Sequence, residues 1–249
     1  MDAVFEPAPY FSVGSAEAPH EVEQFSPPNG KNGTCTTFAG PANMKCGIEA
    51  DEWTLARALV RPGDAVLELG ARYGTTSCAL AAATKNRGHV VAVEPDQDAW
   101  PYLKSNQQRH RCGFAILRGV VGAKDLSWTP NDAGDGYGSS TSVPTVRGHS
   151  RRVPAMPLTK LLHNVGVPSF NVSLVDCEGC IEHDLTPEIL HRLNLLLWEE
   201  DGPSPINNRR WYRRLTAVRE PVSNPEVSPV SGLSLYLPSP IADPKIDRS

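Results

Sequence analysis

The stretch DAVLELGARYGTTSCALAAATKNRGHVVAVEPD, residues 64–96, decides the fold. An apolar run at 65–69 has the length of a buried strand, and a glycine-containing turn follows it at 70–74. The alanine-rich segment 75–85 favours a helix, and 89–94 is a second apolar strand that ends on a glutamate. A strand, a glycine turn, a helix and a strand predict a right-handed βαβ unit, which binds ligands at the carboxyl ends of its strands.

The residues around the turn indicate which ligand this unit binds. The turn has Gly70 and Gly74, whereas a dinucleotide fingerprint has three glycines, and Arg72 at the middle position crowds a pyrophosphate. Both glycines are predicted to let the backbone approach the ligand. Glu68 suits a cationic group, such as the ammonium of a bound amino acid, and Glu94 is placed to accept hydrogen bonds from a ribose diol. The layout predicts a site for S-adenosylmethionine (SAM). A purely structural βαβ unit with solvent-facing glutamates is the alternative.

Four motifs in order resemble the FkbM-like family of SAM-dependent methyltransferases. They are LELGARYGTT, VVAVEPD, LVDCEGC and LLLWEE, and the resemblance covers about Ala50 to Asp201. The family has a D-V-G-A-N-x-G type of turn, E-P after the second strand, D-x-E-G on the fourth and a glutamate ending the fifth. Arg72 replaces the asparagine, and Ile181 stands where the family often has an acid, with Glu182 one place later. The resemblance implies a final antiparallel hairpin in the sheet and favours oxygen as the methyl acceptor.

Acidic residues follow the fourth and fifth predicted strands, at the edge of the sheet where the acceptor must arrive. Asp176 and Glu178 are spaced so that both reach one crevice, as a base, as ligands of substrate hydroxyls or as ligands of a cation. Glu199 is a third acid in reach, and His183 is a further candidate base, although a single histidine is more often structural. The predicted catalytic residues are Asp176, Glu178, Glu199 and His183. The predicted cofactor contacts are Glu68, Gly70, Ala71, Arg72, Tyr73, Gly74, Thr75, Glu94, Pro95 and Asp176, and no metal site is predicted.

These residues predict SAM-dependent O-methylation of a hydroxyl on a small molecule or a sugar. The sequence lacks Asn-Pro-Pro-Tyr, a signature of amide and adenine-amine methylation. Two alternatives stay open. One is a nicotinamide-dependent oxidoreductase on the same sheet. The other is a non-catalytic SAM-binding or interaction module that uses the arginine-rich face at 209–214, which is otherwise a solvated helix face.

Length and composition fit a three-layer, Rossmann-like α/β sandwich with a mostly parallel sheet of seven strands. The chain has 249 residues, of which 40% are hydrophobic and 21% charged, and its net charge of -4 favours neither nucleic acid nor an anionic membrane. No apolar run reaches the length of a membrane span and no targeting segment is visible, so a cytoplasmic location is the default expectation. The predicted parts are an irregular lead-in at 1–47, the methyltransferase domain at 48–237 and a mobile tail at 238–249. Oligomeric state stays open.

Two other features of the sequence need an explanation. Residues 125–152 show no periodicity, which is typical of a substrate lid or of disorder. The six cysteines are too few for a disulfide scaffold. Cys177-x-x-Cys180 suggests zinc or redox chemistry, but no second ligand pair has the spacing of a zinc site. Cys35 and Cys46 could pair across a loop in an exported protein, and free thiols are the expectation.

Overall fold

Strands and helices alternate along the chain, as the βαβ pattern predicts. The computed structural model describes residues 2–9, 37–41, 44, 47, 49–85, 89–130, 140–142, 150–177, 180, 186–199 and 233–236. In these ranges the helices are α1 (Ala50–Leu59), α2 (Thr75–Ala83), α3 (Trp100–Arg109), α4 (Leu158–Val165) and α5 (Pro187–Leu190). The strands are β1 (Val4–Glu6), β2 (Val66–Leu69), β3 (Val90–Glu94), β4 (Phe114–Arg118), β5 (Val120–Val121), β6 (Leu126–Thr129), β7 (Ser140–Ser142), β8 (Arg151–Val153), β9 (Ala155–Met156), β10 (Val172–Val175), β11 (Leu195–Glu199) and β12 (Leu233–Tyr236).

One mixed sheet of seven strands organises the fold, in the order β1-β4-β3-β2-β10-β11-β12. The pairs from β4 through β11 are parallel, and β1 and β12 run antiparallel at the two edges. Leu69 pairs with Val93 on one side and with Val175 on the other, so β2, β3 and β10 end at the same edge of the sheet. The predicted α/β fold with a mostly parallel seven-stranded sheet is confirmed, and β12 has the predicted antiparallel direction.

Apolar side chains alternate between the two faces of the sheet, because successive strand residues point in opposite directions. Val66 and Val90 belong to a core shared with α1, α2 and α3. Leu67 and Val91 belong to a second core, shared with α4 and α5. Helices therefore cover both faces, which makes the predicted three layers. Burying each such side chain stabilises the fold by roughly 1.5–3 kcal/mol, and β2 and β3 are buried along their whole length.

Two segments that the sequence predicts to be irregular contain strands. Val4–Glu6, within the predicted lead-in, pairs antiparallel with β4, and Glu6 forms ion pairs with Lys104 and Arg118. Within 125–152, strands β7, β6 and β8 form a small antiparallel sheet. Three or four residues are too few for a period to be recognised in the sequence, which explains both errors.

The described residues contain two disulfides that the sequence did not predict. Cys78 is bonded to Cys112, and Cys177 is bonded to Cys180. The expectation of free thiols concerns Cys35 and Cys46 and stays a prediction. Cys35, Cys46, the arginine-rich segment 209–214 and the tail 238–249 lie outside the described residues. Among the helices that the structure describes, none is long and apolar enough to span a membrane.

Candidate active site

The candidate site lies where the order of the parallel strands reverses. The chain passes outward from β2 through β3 to β4, and then returns to the other side of β2 with β10 and β11. In an open α/β sheet such a switch point leaves a crevice at the carboxyl ends of the strands, where ligands bind. Asp176 follows β10 directly, and its backbone N–H donates to the carbonyl oxygen of Leu69 at 2.9 Å. The glycine turn that is predicted to bind the cofactor therefore lies next to Asp176, which is predicted to act on the methyl acceptor.

Two glycines of the turn make close approaches to the protein itself. Gly70 has φ +93°, and a Cβ built there would lie 1.6 Å from the carbonyl oxygen of Asp176. Gly74 has φ +84°, and its Cβ would lie 2.8 Å from Leu103 Cδ1. The approach of a ligand to these two glycines stays a prediction. A side chain at Gly70 would meet the backbone after β10. Glycine is required there for packing between strand ends.

Glu68 is a fully buried carboxyl group next to this turn. Its Oε2 accepts a hydrogen bond of 2.5 Å from Ser77 Oγ, whereas its Oε1 is buried without a hydrogen-bond partner among the described residues. Burial raises the pKa of Glu68 to about 8, the Ser77 hydrogen bond opposes this rise, and the charges of Glu49 and Glu94 add to it. A buried acceptor without a partner is costly unless a ligand satisfies it.

Glu94 is held at the end of β3 by the backbone. Its Oε2 accepts from the N–H of Arg72 at 2.7 Å, and its Oε1 accepts from the N–H of Asp96 at 2.6 Å. Burial raises the pKa of Glu94 to about 7, against the opposing effects of the Arg72 charge and the two backbone hydrogen bonds. A carboxylate has about four acceptor positions, so two remain for further donors. With 0% and 3% exposure, Glu68 and Glu94 do not face solvent, which excludes the alternative of solvent-facing glutamates.

The side chain of Arg72 connects the turn to the segment that follows β3. The residue has φ 45°, in the left-handed region, and its Nη1 lies 2.6 Å from Asp96 Oδ2. Its guanidinium carbon is 4.9 Å from the centre of the Tyr73 ring. These contacts hold Arg72 in the turn and place its positive charge beside Glu94. A direct contact of Arg72 with the cofactor stays a prediction.

The sequence reasoning missed Glu49 and Thr76. Glu49, which precedes α1, accepts hydrogen bonds from Thr75 Oγ1 and from Thr76 Oγ1, the latter at 3.0 Å. Glu49 is 8% exposed, so a second buried carboxylate meets the first turn of α2 close to Glu68. The run of three hydroxyl residues that opens α2 is the signal in the sequence. The hydroxyl of Thr75 thus contacts Glu49, and its predicted cofactor contact stays a prediction.

The other predicted residues are placed as follows. Asp176 is partly buried at the end of β10, Glu199 is the last residue of β11, and Pro95 is partly buried after β3. Ala71 and Tyr73 are buried in the core that contains α2 and α3. Glu178 and His183 lie outside the described residues. Across the part of the chain that the structure describes, no group of three His, Cys, Asp or Glu side chains is arranged to hold a metal ion.

The sequence matches no protein-family model and no curated protein. Among solved structures, a precorrin-6y C5,15-methyltransferase from Geobacter metallireducens GS-15 is 10% identical, with a TM-score of 0.44 over 71% of this chain and 75% of that one. An O-methyltransferase from Bacillus cereus in complex with SAH is 15% identical, with a TM-score of 0.40 over 82% of this chain and 81% of that one. The O-methyltransferase TomG from Streptomyces achromogenes, in complex with SAM, is 15% identical, with a TM-score of 0.41 over 71% of each chain.

Proposed function

We propose that this protein is a SAM-dependent methyltransferase. The observation that carries the proposal is the pair of buried carboxyl groups, Glu68 and Glu94, at the ends of adjacent strands on either side of one glycine turn. The buried Glu68 Oε1, which lacks a partner among the described residues, suits the ammonium of an amino acid. The two remaining acceptor positions of Glu94 suit a ribose diol. SAM has both of these groups.

A nicotinamide cofactor fits the same crevice less well. Its pyrophosphate would lie on the glycine turn, where a dinucleotide site has a second glycine. Arg72 occupies that position, and its side chain is engaged with Asp96 and stacked on Tyr73. The pyrophosphate would also lie close to two buried carboxyl groups, which repel an anion when they are ionised. The oxidoreductase is therefore the weaker alternative.

In methyl transfer we assign a role to Asp176, the residue after β10. When bound, SAM supplies a methyl group on a sulfonium, which is already activated for transfer. Asp176 lies next to Gly70 at the switch point, where it can hold an acceptor hydroxyl or take its proton. Positioning of the two reactants contributes roughly 7–11 kcal/mol of barrier lowering, and a general base contributes about 100- to 10,000-fold in rate. We assign the same type of role to Glu178, with Glu199 and His183 as the next candidates.

The acceptor we propose is a hydroxyl on a small molecule or a sugar. The support is the acidic residue at the mouth of the crevice, since a hydroxyl must lose its proton as the new bond forms. The resemblance of four motifs to the FkbM-like family also supports oxygen as the acceptor atom.

Calorimetric titration of the full chain with SAM, S-adenosylhomocysteine and NADH tests this proposal. We expect binding of SAM and S-adenosylhomocysteine but not of NADH. Glu94→Ala should weaken SAM binding, because each lost hydrogen bond to a charged acceptor costs about 1.5–3 kcal/mol. Glu188→Ala is the matched control, since Glu188 is exposed on α5, away from the turn. Binding of NADH alone would support the oxidoreductase, and SAM binding without turnover of any acceptor would support the non-catalytic module.

A further inference from the structure

The disulfide Cys177–Cys180 lies in the turn that forms one side of the crevice. The two cysteines are three residues apart, and their Cα atoms are 5.4 Å apart. Cys177 follows Asp176 directly, and a Cβ built at Gly70 would lie 3.3 Å from Cys177 Cα. The disulfide is therefore attached to the segment of backbone on which the glycine turn packs. A change in this bond would therefore act on the backbone against which Gly70 packs.

The second disulfide, Cys78–Cys112, differs from Cys177–Cys180 in the length of the loop it closes and in the burial of its cysteines. It links residues 34 apart, and both of its cysteines are buried in the core that contains α2 and α3. Closing a long loop constrains the unfolded chain more than closing a short one. Cys78–Cys112 therefore stabilises the whole fold, whereas Cys177–Cys180 contributes little to global stability and acts locally.

The two cysteines of the Cys177–Cys180 disulfide also differ in exposure. Cys177 is partly exposed, whereas Cys180 is 2% exposed. Exchange requires that a thiolate reach one of the two sulfurs. The more exposed cysteine, Cys177, is therefore the expected point of attack, with Cys180 as the leaving group.

We propose that Cys177–Cys180 is a thiol–disulfide exchange site for a dithiol reductant, and that its reduction weakens the cofactor crevice. A thiolate of the reductant attacks Cys177 Sγ, the S–S bond breaks, and Cys180 Sγ leaves as a thiolate that takes up a proton. The second thiolate of the reductant then attacks the mixed disulfide, Cys177 leaves as a thiolate and is protonated, and the reductant departs as a disulfide. Two electrons have passed to the protein. The effect on the crevice rests on the proposed function, whereas the exchange chemistry does not.

The first experiment counts thiols in the native full chain. The protein is equilibrated with increasing dithiothreitol, alkylated, digested and analysed by mass spectrometry. We expect Cys177 and Cys180 to become alkylated at lower dithiothreitol than Cys78 and Cys112, with the chain still folded by circular dichroism. Joint reduction of both pairs, only upon unfolding, would overturn the exchange site.

The second experiment measures SAM affinity by calorimetry. Reduced protein and the double variant Cys177→Ser/Cys180→Ser should bind SAM about tenfold more weakly, an ordinary size for coupling between two sites. The matched control, Cys78→Ser/Cys112→Ser, should lower the melting temperature more than the first double variant does. Equal SAM affinity of the oxidised and reduced forms would overturn the coupling. Failure of every form to bind SAM would refute the proposed function, and the alkylation result would still decide whether exchange occurs.

Discussion

Replacing Glu68 by glutamine tests the assignment of an ammonium to this residue. In the free protein the pKa of Glu68 is raised from 4.5 to about 8, so the group is mostly neutral at pH 6. A bound ammonium favours the ionised form, because an opposite charge nearby lowers the pKa of an acid. Binding of SAM should therefore release up to one proton from Glu68 at a pH between its lowered pKa in the complex and about 8.

The release of this proton determines how strongly the affinity for SAM depends on pH. If one proton is released, affinity rises about tenfold for each pH unit, so the gain from pH 5.5 to 7.5 is about 100-fold. An α-ammonium has a pKa of about 7.7–8.0 and stays largely protonated over most of this range. Glu94, whose pKa is raised to about 7, can add to the slope in the wild type. Glu68→Gln has no proton to release at this position. The slope of the logarithm of its SAM affinity against pH should therefore be lower by about one. At pH 7.5 it should bind SAM more weakly by about 1.5–3 kcal/mol.

Calorimetry in two buffers of different ionisation enthalpy measures the protons directly. Wild type, Glu68→Gln and the exposed control Glu188→Gln are titrated with SAM at pH 5.5, 6.5 and 7.5. The control should match the wild type in affinity and in proton release. If wild type and Glu68→Gln released the same number of protons at every pH, the ammonium would not contact Glu68 and the reasoning would fail.

Three further outcomes are expected. The raised pKa values of Glu68 and Glu94 mean that the folded state prefers their protonated forms, so the unfolding free energy without ligand should fall as pH rises from about 5 to about 8; chemical denaturation across this range measures it. Gly70→Ala should destabilise far more than Gly166→Ala. The first Cβ would lie 1.6 Å from a backbone oxygen, whereas the second meets nothing within 4 Å and has only the strain of φ +79°, about 1–2 kcal/mol. Asp176→Asn should lower turnover of an identified acceptor by about 100-fold or more, a far larger effect than its effect on SAM affinity, and with no response to a chelator.

A specific result would contradict each of these three predictions. A stability profile that is flat or rising over this pH range would mean that the two acids are ionised in the folded protein. Equal melting temperatures for the two glycine variants would show that a side chain at Gly70 does not clash with the backbone at the end of β10. Wild-type turnover by Asp176→Asn would move the search for the base to Glu199 or His183, and activity lost to a chelator and restored by metal would indicate a cation.

The elements around the crevice were predictable from the sequence because their signals are local. The apolar runs of β2 and β3 are strands buried on both faces, which read as continuous hydrophobic segments. Helix α4, Leu158–Val165, ends at Gly166, whose φ of +79° suits glycine, so the end of this helix also has a local signal. Glu68 lies in the strand directly before the glycine turn and Glu94 ends the next strand along the chain, so their meeting at one edge of the sheet could also be inferred.

Contacts between distant segments were decided only by the tertiary structure. Nothing in the sequence near Glu49 shows that it meets the hydroxyls of Thr75 and Thr76, and nothing near Gly70 shows that its missing side chain makes room for the carbonyl of Asp176. The complete burial that raises the pKa of Glu68 likewise depends on helices packed over the sheet. Periodicity records which way a side chain faces within its own element, whereas a disulfide, a buried ion pair or a close backbone approach depends on how separate elements meet in space.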